Sequence, residues 1–226
     1  MEISLLISYI IISAVSIVCL GFAGIFIKKN NKEEFSFASF FPYELFEVSG
    51  KQNIILRAIH IVSLLSPLAM ASYLIAYLSM GSITYNTFSI LLAFALTLSS
   101  ISYLLITIIK PKYYKTFIFL FLLLAGSISI ECVVFALLIS KHGAMVANPD
   151  MAFAFSMILY VLSVLNLIFL FNPKLKNWDK LEKEEDEQGT IHYLRPKVLF
   201  LAMHEWILIV YKTVIEILAF ILIFLL

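Results

Sequence analysis

Charge is the scarcest property of this chain. Lys, Arg, Asp and Glu make up 14% of its 226 residues, where a soluble domain carries about a quarter. A chain so poor in charge cannot coat a water-facing surface, and a soluble globular fold is excluded. Cysteine is nearly missing too. Cys19 and Cys132 both fall inside apolar runs, which argues against a disulfide framework and for buried free thiols. Arginine is reduced to Arg57 and Arg195 beside 14 lysines. With abundant Phe, Ile and Tyr, that usage suggests an AT-rich genome and a low-GC bacterium. The first basic residue, Lys28, comes after the first apolar run, so no cleavable signal peptide is expected.

The signatures of catalysis are absent as well. His60, His142, His192 and His204 are scattered over separate segments, and HEWIL at 204–208 lacks the second histidine of H-E-x-x-H. The chain has no G-x-S-x-G elbow, no phosphate-binding glycine loop and no C-x-x-C pair. Its polar connections are too short to fold into a catalytic domain. The expectation is a chain that is not an enzyme, with no catalytic residues, no cofactor, no metal site and no nucleic-acid partner.

What is present is hydrophobicity, 62% of residues, with a mean hydropathy of +1.00. A bilayer core about 30 Å thick needs roughly 20 helical residues per crossing. Runs at about 3–27, 58–80, 88–109, 116–139, 151–172 and 198–226 meet that length. The expected fold is all-α: a single polytopic membrane domain of six transmembrane helices. Connections 28–57, 110–115 and 173–197 hold 14 of the 16 basic residues. They alternate with the nearly lysine-free connections 81–87 and 140–150, so the positive-inside rule places them in the cytoplasm and both termini outside. The order of connection lengths is palindromic, unlike an inverted three-plus-three repeat.

Two cytoplasmic connections stand out. FSFASFFPYELF, 35–46, carries Phe35, Phe37, Phe40, Phe41, Tyr43 and Phe46. Too short to span, it is expected to lie flat at the interface or to dock a partner protein. WDKLEKEEDEQ, 178–188, reads as a solvated helical turn or loop.

Within the spans, Pro67 removes a backbone hydrogen bond that Ser63 and Ser66 can replace. Gly21 and Gly24 form a close-packing notch, while TLSSIS (97–102) and Asn166 are packing devices. The last span is different. At 100° per residue, Glu205, Lys212 and Glu216 fall within about 40° of each other, one charged stripe on an otherwise apolar helix. Lipid would penalise each charge by at least roughly 2.5 kcal/mol, so the stripe should face protein or water. Counting about 1.5 Å per residue from the outer end of the run puts Glu216 roughly 15 Å deep, near the midplane. Glu131 in GSISIECVVFA sits at matching depth. The expected intramembrane charge cluster is Glu131, Lys212, Glu216 and Glu205, with Lys212 pairing Glu216 at i,i+4 and Glu131 across helices.

The leading functional expectation is a non-enzymatic subunit or accessory component of a membrane assembly, secretion or immunity related, or a homo-oligomer. Its partners would be the lipid bilayer and further copies or other membrane proteins, and its place the bacterial cytoplasmic membrane. The alternative is a small-solute or proton-coupled transporter or channel that uses the Glu/Lys cluster.

Overall fold

The computed structural model describes residues 2–30, 36–42, 44, 52–78, 83–107, 109, 114–146, 148–173, 175, 182–185, 191–194 and 197–225. Its helices are α1 (Glu2–Asn30), α2 (Gln52–Leu78), α3 (Ile83–Ile106), α4 (Tyr114–Val146), α5 (Pro149–Leu170) and α6 (Phe200–Leu225). Among the described residues, five apolar stretches are long enough to cross a membrane: Ser4–Phe22, Thr87–Ile106, Thr116–Lys141, Pro149–Leu170 and Phe200–Ile223. In α2 the apolar stretch is the shorter Ala58–Tyr73. This is a polytopic integral membrane protein, built as hydrocarbon requires, with backbone polar groups paired inside each helix.

Helices α1, α2, α3, α4 and α6 follow one another around a ring, which closes where α6 meets α1. The base of this bundle is the end where α2, α4 and α6 begin. Helix α5 packs mainly on α4, from outside the ring. It buries a single stripe, Ala152, Ser156, Leu159, Ser163 and Asn166, at the spacing of one helix face. The small residues let the two backbones approach, and hydrogen bonds cross the seam. Ser156 donates to the Ala136 carbonyl at 2.9 Å, Ser163 to that of Ser129 at 3.1 Å, and Asn166 to that of Ala125 at 2.7 Å. Asn166 is the packing device expected of it.

Pro67 is buried inside α2, and the helix runs through it. Its missing N–H would have served the Ser63 carbonyl. The Ser66 hydroxyl donates to that carbonyl instead, at 2.9 Å, so the freed acceptor is satisfied locally.

Several expectations need correction. Helix α4 continues through SKHGAMV to Val146, beyond the expected end at 139. The connection is short because Asn148 already caps α5, accepting from the Met151 N–H at 3.3 Å. Lys141, expected in a loop, lies on this extension with its Nζ 4.7 Å from the centre of the Phe88 ring. The described part of the acidic run 178–188 is a strand and not a helical turn. Glu182–Glu185 (β1) pairs antiparallel with Ile191–Leu194 (β2), Glu182 opposite Leu194 and Glu185 opposite Ile191. IHYL is a β-forming run set off by Gly189, and reading the charges alone overlooked it. Among the described residues the fold is therefore helical with one short pair of antiparallel strands. Gly21 forms no packing notch, because a Cβ there would meet nothing within 4 Å. It lines an open apolar groove instead.

Candidate functional site: a buried ionisable cluster inside the helix ring

The charged stripe of α6 turns inward. Glu131, Lys212 and Glu216 are 0%, 4% and 3% exposed, so none of them faces lipid. Lys212 forms an ion pair with Glu216 one turn on along α6. Tyr9 on α1 donates to the other Glu216 oxygen at 3.1 Å. Glu131 on α4 lies within electrostatic reach of both Lys212 and Glu216. One of its oxygens accepts from Ser99 on α3, and Oε2 has no hydrogen-bond partner among the described residues. The expected pairing of Lys212 with Glu216 is thus a direct contact, whereas Glu131 is reached through the field.

Four ring helices contribute to this arrangement, and α2 closes the wall. Ser13 and Ser16 of α1, His60 and Ser63 of α2, Tyr103 of α3, Leu124 of α4 and Lys212 and Glu216 of α6 line a cavity of about 20 Å³. That is room for one water molecule. His60 packs edge-on against Tyr103, with ring centroids 5.0 Å apart.

Toward the top of the bundle the interior becomes apolar. Phe220 meets the rings of Tyr9 and Phe135 edge-on at 5.3 and 5.2 Å, and these three aromatics cover the cluster on that side. The buried ionisable groups of the cluster therefore lie from the base to the middle of the ring, while nearer the top Ser89 of α3 is a buried hydroxyl.

Glu205 is buried on the same stripe but stands apart from the other three. It lies seven residues before Lys212, roughly 10 Å along the axis, and its neighbours are at the base. His204, beside it, directs Nδ1 at the Phe200 carbonyl, 2.6 Å away, and its ring is 5.8 Å from that of Phe169. Among the described residues no three His, Cys, Asp or Glu side chains are gathered as a metal site would require.

The aromatic segment packs on the bundle itself. Phe40 and Phe41 are buried, Phe41 against Phe117 of α4 at 5.8 Å, while the more exposed Phe37 lies 5.0 Å from Trp206. Trp206 Nε1 donates to the Phe40 carbonyl, and the Leu199 N–H to that of Ala38, both at 2.7 Å. Residues 36–42 thus form a cap tied to the start of α6. Phe35, Tyr43 and Phe46 lie outside the described residues.

Sequence reasoning missed Tyr9, Ser99, His60 and Tyr103. Ser99 sits in TLSSIS, read only as packing. Tyr9 carries no signal at all, because its partner is the last charged residue of the chain. No family model, no curated protein and no solved structure matches this chain, and the functional reading rests on this geometry.

Proposed function

We propose that this chain is a small proton-translocating membrane protein, a proton channel or the proton-carrying part of a coupled transporter. In this reading it has six spans, both ends outside and the base of the bundle in the cytoplasm of a bacterium. The observation that carries the reading is the enclosure of Lys212, Glu216 and Glu131 inside the helix ring of one chain, beside space for a single water. A cluster meant for lipid-exposed subunit seams would lie on the outer surface. Ionisable groups inside a membrane bundle are costly to bury, and they mark ion and proton paths.

The chemistry favours a proton over a larger cargo. One lysine and two carboxyl groups balance in charge when one proton is shared among them, and that proton can reside on either carboxyl. Lys212 pairs with the carboxylate that lacks it. Moving the proton between Glu131 and Glu216 requires that Lys212 swing between them and that a water carry the proton from one carboxyl to the other, with the Ser99 and Tyr9 hydroxyls holding each carboxylate in place. A space of about 20 Å³ admits a water and excludes organic solutes.

Purified protein in proteoliposomes loaded with a pH-sensitive dye tests this. An imposed pH gradient should collapse through the wild type, and Glu216→Gln should abolish the flux while the protein remains folded. Flux that is equal in both proteins, or absent from both, would remove the proposal.

A second reading, a subunit of a larger assembly, is supported by a different feature. An apolar groove of about 800 Å³, lined by Ile17, Gly21, Leu162, Val210 and Leu218 among others, opens between α1, α5 and α6. It would accept a helix of a partner. The mass of the particle extracted into lipid nanodiscs distinguishes a single chain from a complex.

A further inference from the structure

Glu205 is a buried carboxyl group that the central cluster does not use. It is 1% exposed, and neither carboxylate oxygen has a hydrogen-bond partner among the described residues. Its place on α6 is informative. Glu205, Leu208, Ile209 and Lys212 follow the i, i+3, i+4, i+7 spacing of one helix face, and the last three line the central cavity. Glu205 therefore stands about one turn, roughly 5 Å, below the cavity wall.

Tyr103 approaches this region from α3, without a hydrogen bond to Glu205. It lines the cavity from α3 and interacts electrostatically with Glu205, and its buried hydroxyl has no hydrogen-bond partner among the described residues. From the base, Glu44, just beyond the cap, lies within electrostatic reach of Glu205. Glu44 Oε2 accepts from the Phe41 N–H at 2.7 Å, next to the Phe40 carbonyl held by Trp206. Glu44 and, from α3, Tyr103 lie within electrostatic reach of Glu205.

We infer that Glu205 is a proton-binding group at the base of the cavity, and that the Tyr103 hydroxyl hands its proton to the cavity water. This rests on the proton-translocation reading. The transfer is balanced. Glu205 and Tyr103 are not hydrogen-bonded to each other in this structure, so the transfer begins when their side chains turn into contact. The Glu205 carboxyl then releases its proton to a lone pair on the Tyr103 oxygen, while the Tyr103 hydroxyl gives its own proton to the water. Glu205 is left as a carboxylate and Tyr103 is regenerated. The water passes the extra proton to a carboxylate of the central cluster, and Glu205 reloads from the aqueous side past Glu44.

Two measurements on the full chain test this. Infrared titration in nanodiscs should show a carboxylic-acid carbonyl band that responds to bulk pH, is lost in Glu205→Gln and survives in Glu216→Gln. In proteoliposomes, Glu205→Gln and Tyr103→Phe should each slow proton flux about a hundredfold, the low end of what a positioned proton-transfer group contributes, at unchanged thermal midpoint. Flux blocked by Glu216→Gln but untouched by the other two variants would overturn the route and leave the transport reading standing. If the wild type carries no protons, the transport reading and the Tyr103 route both fail. The infrared band then decides whether Glu205 binds a proton, and its absence overturns that as well.

Discussion

Tyr9 and Glu216, 207 positions apart in the chain, are joined by a hydrogen bond of 3.1 Å that ties the first helix to the last. The bond closes the ring of helices and holds one oxygen of the cluster's central carboxylate. Lys212 holds the other.

Tyr9→Phe keeps the ring edge-on against Phe220 and deletes only the hydroxyl. We expect a loss of about 1 kcal/mol in stability, typical of one hydrogen bond inside a membrane bundle. Thermal unfolding in nanodiscs measures it. A change below a few tenths would mean that the bond does not hold the α1–α6 seam.

The Lys212–Glu216 pair makes a sharper prediction. Lys212→Met leaves two carboxyl groups buried without their cation, and breaking such a pair costs about 3–5 kcal/mol. The double variant Lys212→Met/Glu216→Gln should recover part of that loss, because only Glu131 then remains buried without its cation. A double-mutant cycle reads the coupling directly. Additive losses would show that the two groups act independently.

How much of this was legible beforehand differs by residue. The six apolar runs and the inward stripe of α6 follow from length and from the 100° periodicity, and each corresponds to an observed helix or face. Glu131 could be matched to Glu216 by depth alone, because depth is counted along each run separately. Ser99 and Tyr9 could not be found that way. Hydroxyls are common in spans and usually bond to their own helix, as Thr97 does to the Ala93 carbonyl. Which of them turns to another helix depends on packing that no single run encodes. Glu205 was read as one more member of the stripe, since angle separates residues around an axis and says little about which neighbours reach them along it. The packing of the aromatic segment was hidden for a related reason. Phe40 and Phe41 look like membrane-surface aromatics until the start of α6 supplies Trp206 and a place to pack.

The α4–α5 seam should be separable from the site. Asn166→Ala removes its bonds to the Ala125 carbonyl and the Ser129 hydroxyl, and we expect a loss of about 1 kcal/mol in stability. Proton flux per folded molecule should be unchanged, since α5 lies outside the ring. Loss of flux at full folding would show that α5 belongs to the path.

Phe220 covers the cluster toward the top of the bundle. Replacing it with Ala removes the ring shared by Tyr9 and Phe135 and opens a void beside Glu216. Passive proton leak through reconstituted protein should rise several-fold over wild type. An unchanged or lower leak would mean that these aromatics are not the barrier.

The central claim is that one chain holds a complete proton path. The most direct test is proton flux in vesicles reconstituted at limiting protein, with fewer than one chain per vesicle on average. The account predicts that the fraction of vesicles that dissipate a pH gradient equals the fraction holding one or more chains. A conducting fraction that appears only in vesicles with two or more chains, or in none at any loading, would contradict it.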